Sequence, residues 1–557
     1  MVSVVALMSG MGAAHAVDIP ASTTGATVPG GGDTIQSGVT VSNTDALGSS
    51  AITITSGGVG TETEFTNSGT VQSAIGSSAT GIGANGNDNI VITNTETGII
   101  EALGTGGAIR LDNNVTIENA GTISSAGGTN TVRADNDATI TNTGTIRSDG
   151  DPVSGENSST VRIDRGTVTN GSESNTSALI VNNANATDLD SGDQDSNVYA
   201  VQAGDDDQAI VTNYGIIRAT GNAATVATGH NEGEVGAVRL GGDDSEIYNY
   251  GTIETTGVIV ETDSDNQEIG DMYGIRVDGA DNLVHNYGTG VITGGKHGVN
   301  IDGDAEDAVV TNDLGGTITG LNGSGVGSDS NGTVTNYGTI TGTFNDDYSF
   351  GDGDGVDIDL VGEVTNYGTI QGLGSKGTKP GELSPSNSEG IAMGGGSIVN
   401  GDEDHLGALI SGANNGILID DSEGGDAFDA VTITNYGTIR GLDGYGIRLV
   451  NAGGTFDNRI DNYGAISGAN GIAVEIGGGD DTFNDFGGTI TGSVDAQGGA
   501  DTLNIDRGDD TEYTLDGEQF LNFETTNVLS GIVTLDGDYT SSTLVRVFED
   551  ASFVGNG

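Results

Sequence analysis

The chain contains no cysteine and no tryptophan, only 5 prolines, and only 16 lysines and arginines against 80 aspartates and glutamates. Without cysteine there is no disulfide and no thiolate-bound zinc, although export is not excluded. A formal net charge of -64 repels phosphate backbones and anionic lipid headgroups, which argues against nucleic acid as a partner. The same charge attracts divalent cations and basic surfaces. After the N-terminal segment no run reaches the 18 or so consecutive apolar residues of a membrane helix.

Glycine is abundant, at 99 of 557 residues. Disordered glycine-rich chains are poor in β-branched residues, whereas here Val, Ile and Thr alternate along most of the length. The composition is that of a folded chain rich in strands and tight turns. Residues 2–14, "VSVVALMSGMGAA", form a short apolar segment followed by Ala14-His15-Ala16. That pattern reads as a secretory signal peptide over 1–16 whose basic n-region is missing.

One phrase recurs. "VTNYGTITG" at 334–342 returns as "VTNYGTIQG" at 364–372 and as "TITNYGTIRG" at 432–441. Anchored on its asparagine, it or a degenerate form occurs at Asn67, Asn94, Asn119, Asn142, Asn213, Asn249, Asn286, Asn312, Asn336, Asn366, Asn435, Asn462 and, as "NDFGGTITG", Asn484. Steps between copies run mostly from about 22 to 37 residues, with decayed copies near Asn170 and Asn400. A second phrase alternates with it: "GAIRL" (107–111), "GAVRL" (236–240), "YGIRV" (273–277), "HGVNI" (297–301), "GVDID" (355–359), "NGILI" (415–419), "YGIRL" (445–449) and "NGIAV" (470–474).

Each unit therefore reads as three short strands with period-2 alternation. Three short strands cannot bury their apolar faces alone, so the units must stack. The expected fold is all-β, a right-handed parallel β-helix of about 15 coils with about three strands each, a rod of roughly 70 Å at the inter-strand spacing. Residues 17–60 are expected to cap the N-terminal end, 61–505 to form the coils, and 506–557 the last coils and a junction. In "VTNYGTI" the parity places Asn336 inward, where stacked amides would form a ladder, and Tyr337 outward. The glycine after Tyr is expected to relax the backbone at the bend.

Recurrent "TNYGTI.G" coils behind a signal peptide resemble the passenger region of bacterial type V autotransporters. The segments "GGGDDTFNDFGGTITGSVDAQGGADTLNI" (477–505) and "LNFETTNVLSGIVTLDG" (521–537) are similar to those leading such passengers toward their translocator. The resemblance implies an exported, cell-surface or secreted stalk or adhesin. Its partners would be an outer-membrane translocator barrel, which these residues do not contain, and a host-surface or cell–cell ligand. It also accounts for the missing cysteine, since a chain crossing a membrane unfolded is better without cross-links.

Candidate chemistry is sparse. "GGGDDTF" (477–483) and "QGGADTL" (497–503) half-match the glycine-aspartate turn of calcium-binding β-rolls, with Asp480, Asp481 and Asp501 as ligands. No other cofactor is indicated. No G-x-S-x-G elbow and no H-E-x-x-H pair exists, and "GIGANG" (81–86) precedes no helix. Arg507-Gly508-Asp509 is an RGD tripeptide, read as incidental in so Asp- and Gly-rich a chain. The reading is therefore non-enzymatic. The alternative is a carbohydrate-active β-helix lyase or hydrolase, which would gather carboxylates with a Lys or Arg in one groove. Recognition is expected in the long insertions near 171–208, 258–272, 343–354 and 373–388.

Overall fold

The computed structural model describes residues 18–555 apart from 20–25, 29–31, 43–49, 55–61, 76–77, 85–88, 153–156, 187–195, 205–207, 225–232, 258, 261–270, 344–352, 375–387, 421–424, 452 and 454–455. The signal peptide expected at 1–16, and most of the long insertions, lie outside the described residues. Every pairing among the regular strands is parallel, and no helix occurs among the described residues. The chain is a parallel β-helix.

One coil shows why. Gly332–Asn336 runs along the first sheet and Thr339–Gly342 along the second, and the strand opening at Val356 lies on the third. Register is kept residue by residue between coils: Asn312, Asn336 and Asn366 align, as do Thr317, Thr339 and Thr369, and Val326, Val356 and Ile391. A one-residue slip would turn each buried Val and Ile outward, so the alternation itself fixes the register. Ile318, Ile340, Ile370, Ile410, Ile439 and Ile466 form one inward column, all buried. Each contributes about 1.5–3 kcal/mol by leaving water. Stacking also begins ahead of residue 61, because Asp33–Ile35, Thr40–Ser42 and Ile52–Ile54 already pair in register with later coils.

The asparagine ladder is present and longer than the phrase suggests. Asn67 donates to Asn94, and the chain of bonds continues through Asn119, Asn142, Asn170, Asn213, Asn249, Asn286, Asn312, Asn336, Asn366, Asn400, Asn435 and Asn462, each step 2.7–2.9 Å. The decayed copies at Asn170 and Asn400 keep their rungs. What they lose is the Tyr-Gly that follows, replaced by Gly171 and Gly401 at φ +81 and +77. Asn484 is a correction: register pairs Asn462 with Asp485 and Asp461 with Asn484. Aligning Phe486 with Tyr463, on which it stacks at 4.5 Å, gives the true phase.

The glycine after Tyr also has a different cause from the expected one. Gly338 does not have positive φ. A Cβ there would lie 2.3 Å from the Gly316 carbonyl and 2.7 Å from the Asn312 amide nitrogen. Close approach of the preceding coil, and not backbone freedom, excludes any side chain.

Candidate functional site on the third sheet

The outward register of the third sheet aligns Arg110, Arg133, Arg162, Gln202, Arg239 and Arg276. Almost a third of the basic residues of a very acidic chain thus stand in one column. Like charges at strand spacing repel, and the sequence answers with an aspartate two residues on: Arg133–Asp135 is 3.3 Å, Arg162–Asp164 3.7 Å, Arg276–Asp278 2.6 Å. Arg239 also reaches Asp278.

From Ser158 to Met272 this sheet bends. Ser159, Tyr199, Gly236 and Tyr273 align on one side of the bend, and Val161, Val201, Val238 and Ile275 on the other. Ahead of the bend, Val198, Val235 and Met272 join Ala184, Ala186, Ala219 and Ala223 in a second apolar cluster. The coils here thus carry a second apolar cluster beside the main core, and the adjoining face carries a dense polar cluster.

Tyr199 donates its hydroxyl to Glu234, which also pairs with Arg276. Arg276 further contacts Asp278 and Asp302 and lies 5.5 Å from the Tyr273 ring centroid. Tyr273 bonds to Asp271, which holds Lys296 at 2.7 Å. His297, 6.1 Å from Tyr273 and nearly parallel to it, accepts the Ser324 backbone N–H at Nδ1, 3.0 Å away.

The electrostatics follow from burial first and partners second. Burial raises the Tyr199 and Tyr273 hydroxyls well above the usual range, with Glu234 and Asp271 adding to the shift. Glu234 is raised by burial even though Arg276 opposes it. Burial would raise Asp271 too, but the Lys296 ammonium overrides it and leaves the carboxyl lowered. Burial and the neighbouring Lys296 charge push His297 down to about 3, so the ring is neutral.

A lyase or hydrolase needs a base or a carboxylate pair facing substrate. Here both tyrosines are buried, and Glu234, Asp271, Asp278 and Asp302 are each engaged by a cation or a phenol. The arrangement can tie successive coils together. It presents no catalytic pair to a ligand among the described residues. The sequence hid this cluster because its members are up to 103 residues apart, from Tyr199 to Asp302; only register unites them. Of the three lysines, Lys376 and Lys379 lie outside the described residues.

The proposed calcium turns come together differently. Twenty residues of separation is one coil, so Gly478 lies on Gly498 and Thr482 on Thr502. Asp480 Oδ1 accepts the Ala500 N–H at 2.8 Å. Asp481 Oδ1 accepts the Asn458 N–H at 2.6 Å, and Asp501 Oδ1 the Asp481 N–H at 2.7 Å. Glu524 continues the series by accepting the Asp501 N–H at 2.8 Å. Among the described residues no three His, Asp or Glu side chains are placed to hold a metal ion. The carboxylates cap backbone N–H groups of neighbouring coils.

Within the RGD tripeptide the arginine turns inward, while Gly508 and Asp509 are exposed. Arg507 pairs with Asp485, which is fully buried, and its guanidinium lies 3.6 Å from the Tyr513 ring centroid. Burial lifts Asp485 to about 6 against the pull of Arg507. The arginine closes the end of the asparagine column.

Residues 89–356 are similar to a family described as the BigA third pectate lyase-like domain. The match takes in the arginine column and the polar cluster but not the C-terminal acidic turns. No curated protein and no solved structure matches the chain.

Proposed function

We propose that this chain is the β-helical part of an exported surface protein and works as a stiff, non-catalytic spacer and adhesin. The observation that carries this reading is the amide ladder, unbroken from Asn67 to Asn462. A rod built of repeated, mutually saturated rungs is suited to bear load and hold many weak contacts away from a surface. The apolar leader and the resemblance to autotransporter passengers support export through an outer-membrane translocator barrel. Its ligand would be a host-surface or cell–cell partner met by the long insertions, among them those near 258–272 and 373–388. The test replaces these two insertions with short Gly-Asn turns and measures binding of the purified rod to target cells. Binding lost with circular dichroism unchanged is expected; binding retained by the loopless rod sinks the adhesin reading.

A second reading, a carbohydrate-active enzyme, is favoured by one observation: the Tyr–Glu–Arg–Lys cluster falls within the stretch similar to a pectate lyase-like domain. Polygalacturonate treated with the chain would then yield unsaturated, ultraviolet-absorbing ends, and Arg276→Ala would abolish them. We expect none from either protein.

A further inference from the structure

Beyond the stalk, the outer side of the asparagine corner gathers phenols. Half of the chain's 14 tyrosines directly follow a ladder asparagine, and parallel register sets them on equivalent positions of neighbouring coils. Tyr214 stacks on Tyr250 at 4.7 Å and Tyr250 on Tyr287 at 4.1 Å, with ring planes 7° and 8° apart. Tyr436 lies on Tyr463 at 4.3 Å and 2°. Tyr337 and Tyr367 are 4.8 Å apart but inclined by 25°.

Register also points the rings the same way. Burial and then the Tyr287 hydroxyl raise that of Tyr250, and burial and then the Tyr436 hydroxyl raise that of Tyr463. With hydroxyl beside hydroxyl and plane on plane, the ring carbons ortho to oxygen in one phenol face those of the next. Tyr250, Tyr287 and Tyr436 are only half-buried and Tyr463 is 40% exposed, so a small oxidant can reach the corner. The chain has no cysteine, so no disulfide ties one coil to the next.

We propose that the tyrosine columns are oxidative cross-linking sites, in which Tyr250 with Tyr287 and Tyr436 with Tyr463 join as dityrosine and staple successive coils covalently. The oxidant is hydrogen peroxide acting through a haem peroxidase. Each phenol gives up one electron and one proton, and one peroxide takes both pairs and leaves as two waters. The two phenoxyl radicals then form one C–C bond between ortho carbons. The hydrogens on those carbons move to the oxygens, which restores both phenols.

Reactants already in contact and oriented need no search, so the stack selects which pairs couple. Tyr337 and Tyr367, farther apart and inclined, should link more slowly. Tyr199 and Tyr273 are buried on coils that are not adjacent, with Gly236 between them, and should not link. Phe486 follows Tyr463 in the column at 4.5 Å and has no phenol, so that staple ends there.

The experiment exposes the dilute full chain to hydrogen peroxide and a haem peroxidase. It reads the blue fluorescence of dityrosine, the size of the product, and the linked peptides by mass spectrometry. We expect a monomeric product in which the Tyr250 and Tyr287 peptides are joined, as are those of Tyr436 and Tyr463, each link having lost two hydrogen atoms. With peroxidase activity matched on free tyrosine, the folded chain should yield about tenfold more of these links than the chain unfolded in urea. The linked chain should also melt at a higher temperature, because a cross-link constrains the unfolded state. Tyr287→Phe and Tyr463→Phe keep a ring in the stack, and each should delete its own link and leave the other. The proposal is overturned if no dityrosine forms, if links join only separate molecules, or if their pattern is the same in urea. It is equally overturned if the linked chain melts no higher than the unlinked one.

Discussion

The middle of the rod and its C-terminal turns face the same problem with opposite materials. Parallel stacking sets each side chain on its own equivalent, about 4.8 Å away, so whatever occupies a register position is multiplied. Along the third sheet the multiplied residue is arginine, and a second column of aspartates lies beside it. Along the first sheet it is asparagine, whose amide both donates and accepts, so each copy improves the next. At the C-terminal turns it is aspartate on aspartate, each accepting a backbone N–H of the neighbouring coil. A solenoid tolerates a repeated charge where a repeated countercharge lies beside it. Asp485 stands between the two cases: it sits in the asparagine column, and the single Arg507 answers it.

The largest effect should come from unbalancing the mid-rod columns. Arg276→Met leaves Glu234, Asp278 and Asp302 facing one another in a site where the arginine is only 16% exposed. Removing one partner of a buried ion cluster costs about 3–5 kcal/mol. Urea unfolding should show that loss, and exchange should place it around Val235 to Ile301. A loss within experimental error would mean that the cluster is decorative.

Breaking the neutral column should cost less. Asn336→Ala removes one bond from the Asn312 amide above and one from the Asn366 carbonyl below, while the Gly316 carbonyl and the Gly368 N–H still partner them, at about 0.5–1.5 kcal/mol for each lost hydrogen bond. Asn484→Ala provides the contrast. Although the phrase "NDFGGTITG" puts Asn484 in the column, register places it one residue outside, and its loss should be the smaller by urea unfolding. Equal losses would show that the ladder has no privileged position.

That contrast marks what was legible in the sequence. The architecture could be read because apolar alternation and the Asn-Tyr-Gly phrase both come from the same requirement, a corner that repeats. The phrase failed where the corner survives without its ornament. Asn170 and Asn400 keep "TVTN" and "SIVN" before them, and an inserted turn follows. The third-sheet cluster was illegible for a different reason. Tyr273 and His297 open the second phrase, but Tyr199, Glu234, Asp271 and Lys296 are brought together by insertions of unequal length, which leave no fixed spacing to find. For the acidic turns, spacing gave the positions, while the fate of each oxygen depends on which backbone N–H the neighbouring coil presents.

The smallest effects belong to the aromatic column outside the ladder, and there the multiplication rule can be tested by counting faces. Tyr337 stacks on one ring face only, that of Tyr367 at 4.8 Å, meets His405 edge-on at 6.3 Å, and faces Asp313 as the equivalent residue of the preceding coil. Tyr250 lies between Tyr214 at 4.7 Å and Tyr287 at 4.1 Å, both nearly parallel to it. An aromatic pair contributes about 0.5–1.5 kcal/mol beyond the area it buries. Tyr337→Ala should therefore lose one such contribution and Tyr250→Ala two, a ratio near two when each is measured by urea unfolding. Because each coil touches only its neighbours, the two losses should add in the double variant. A ratio near one would mean that the rings merely shield the turn, each for its own coil, and that stacking along the rod stabilises only the amides beneath them.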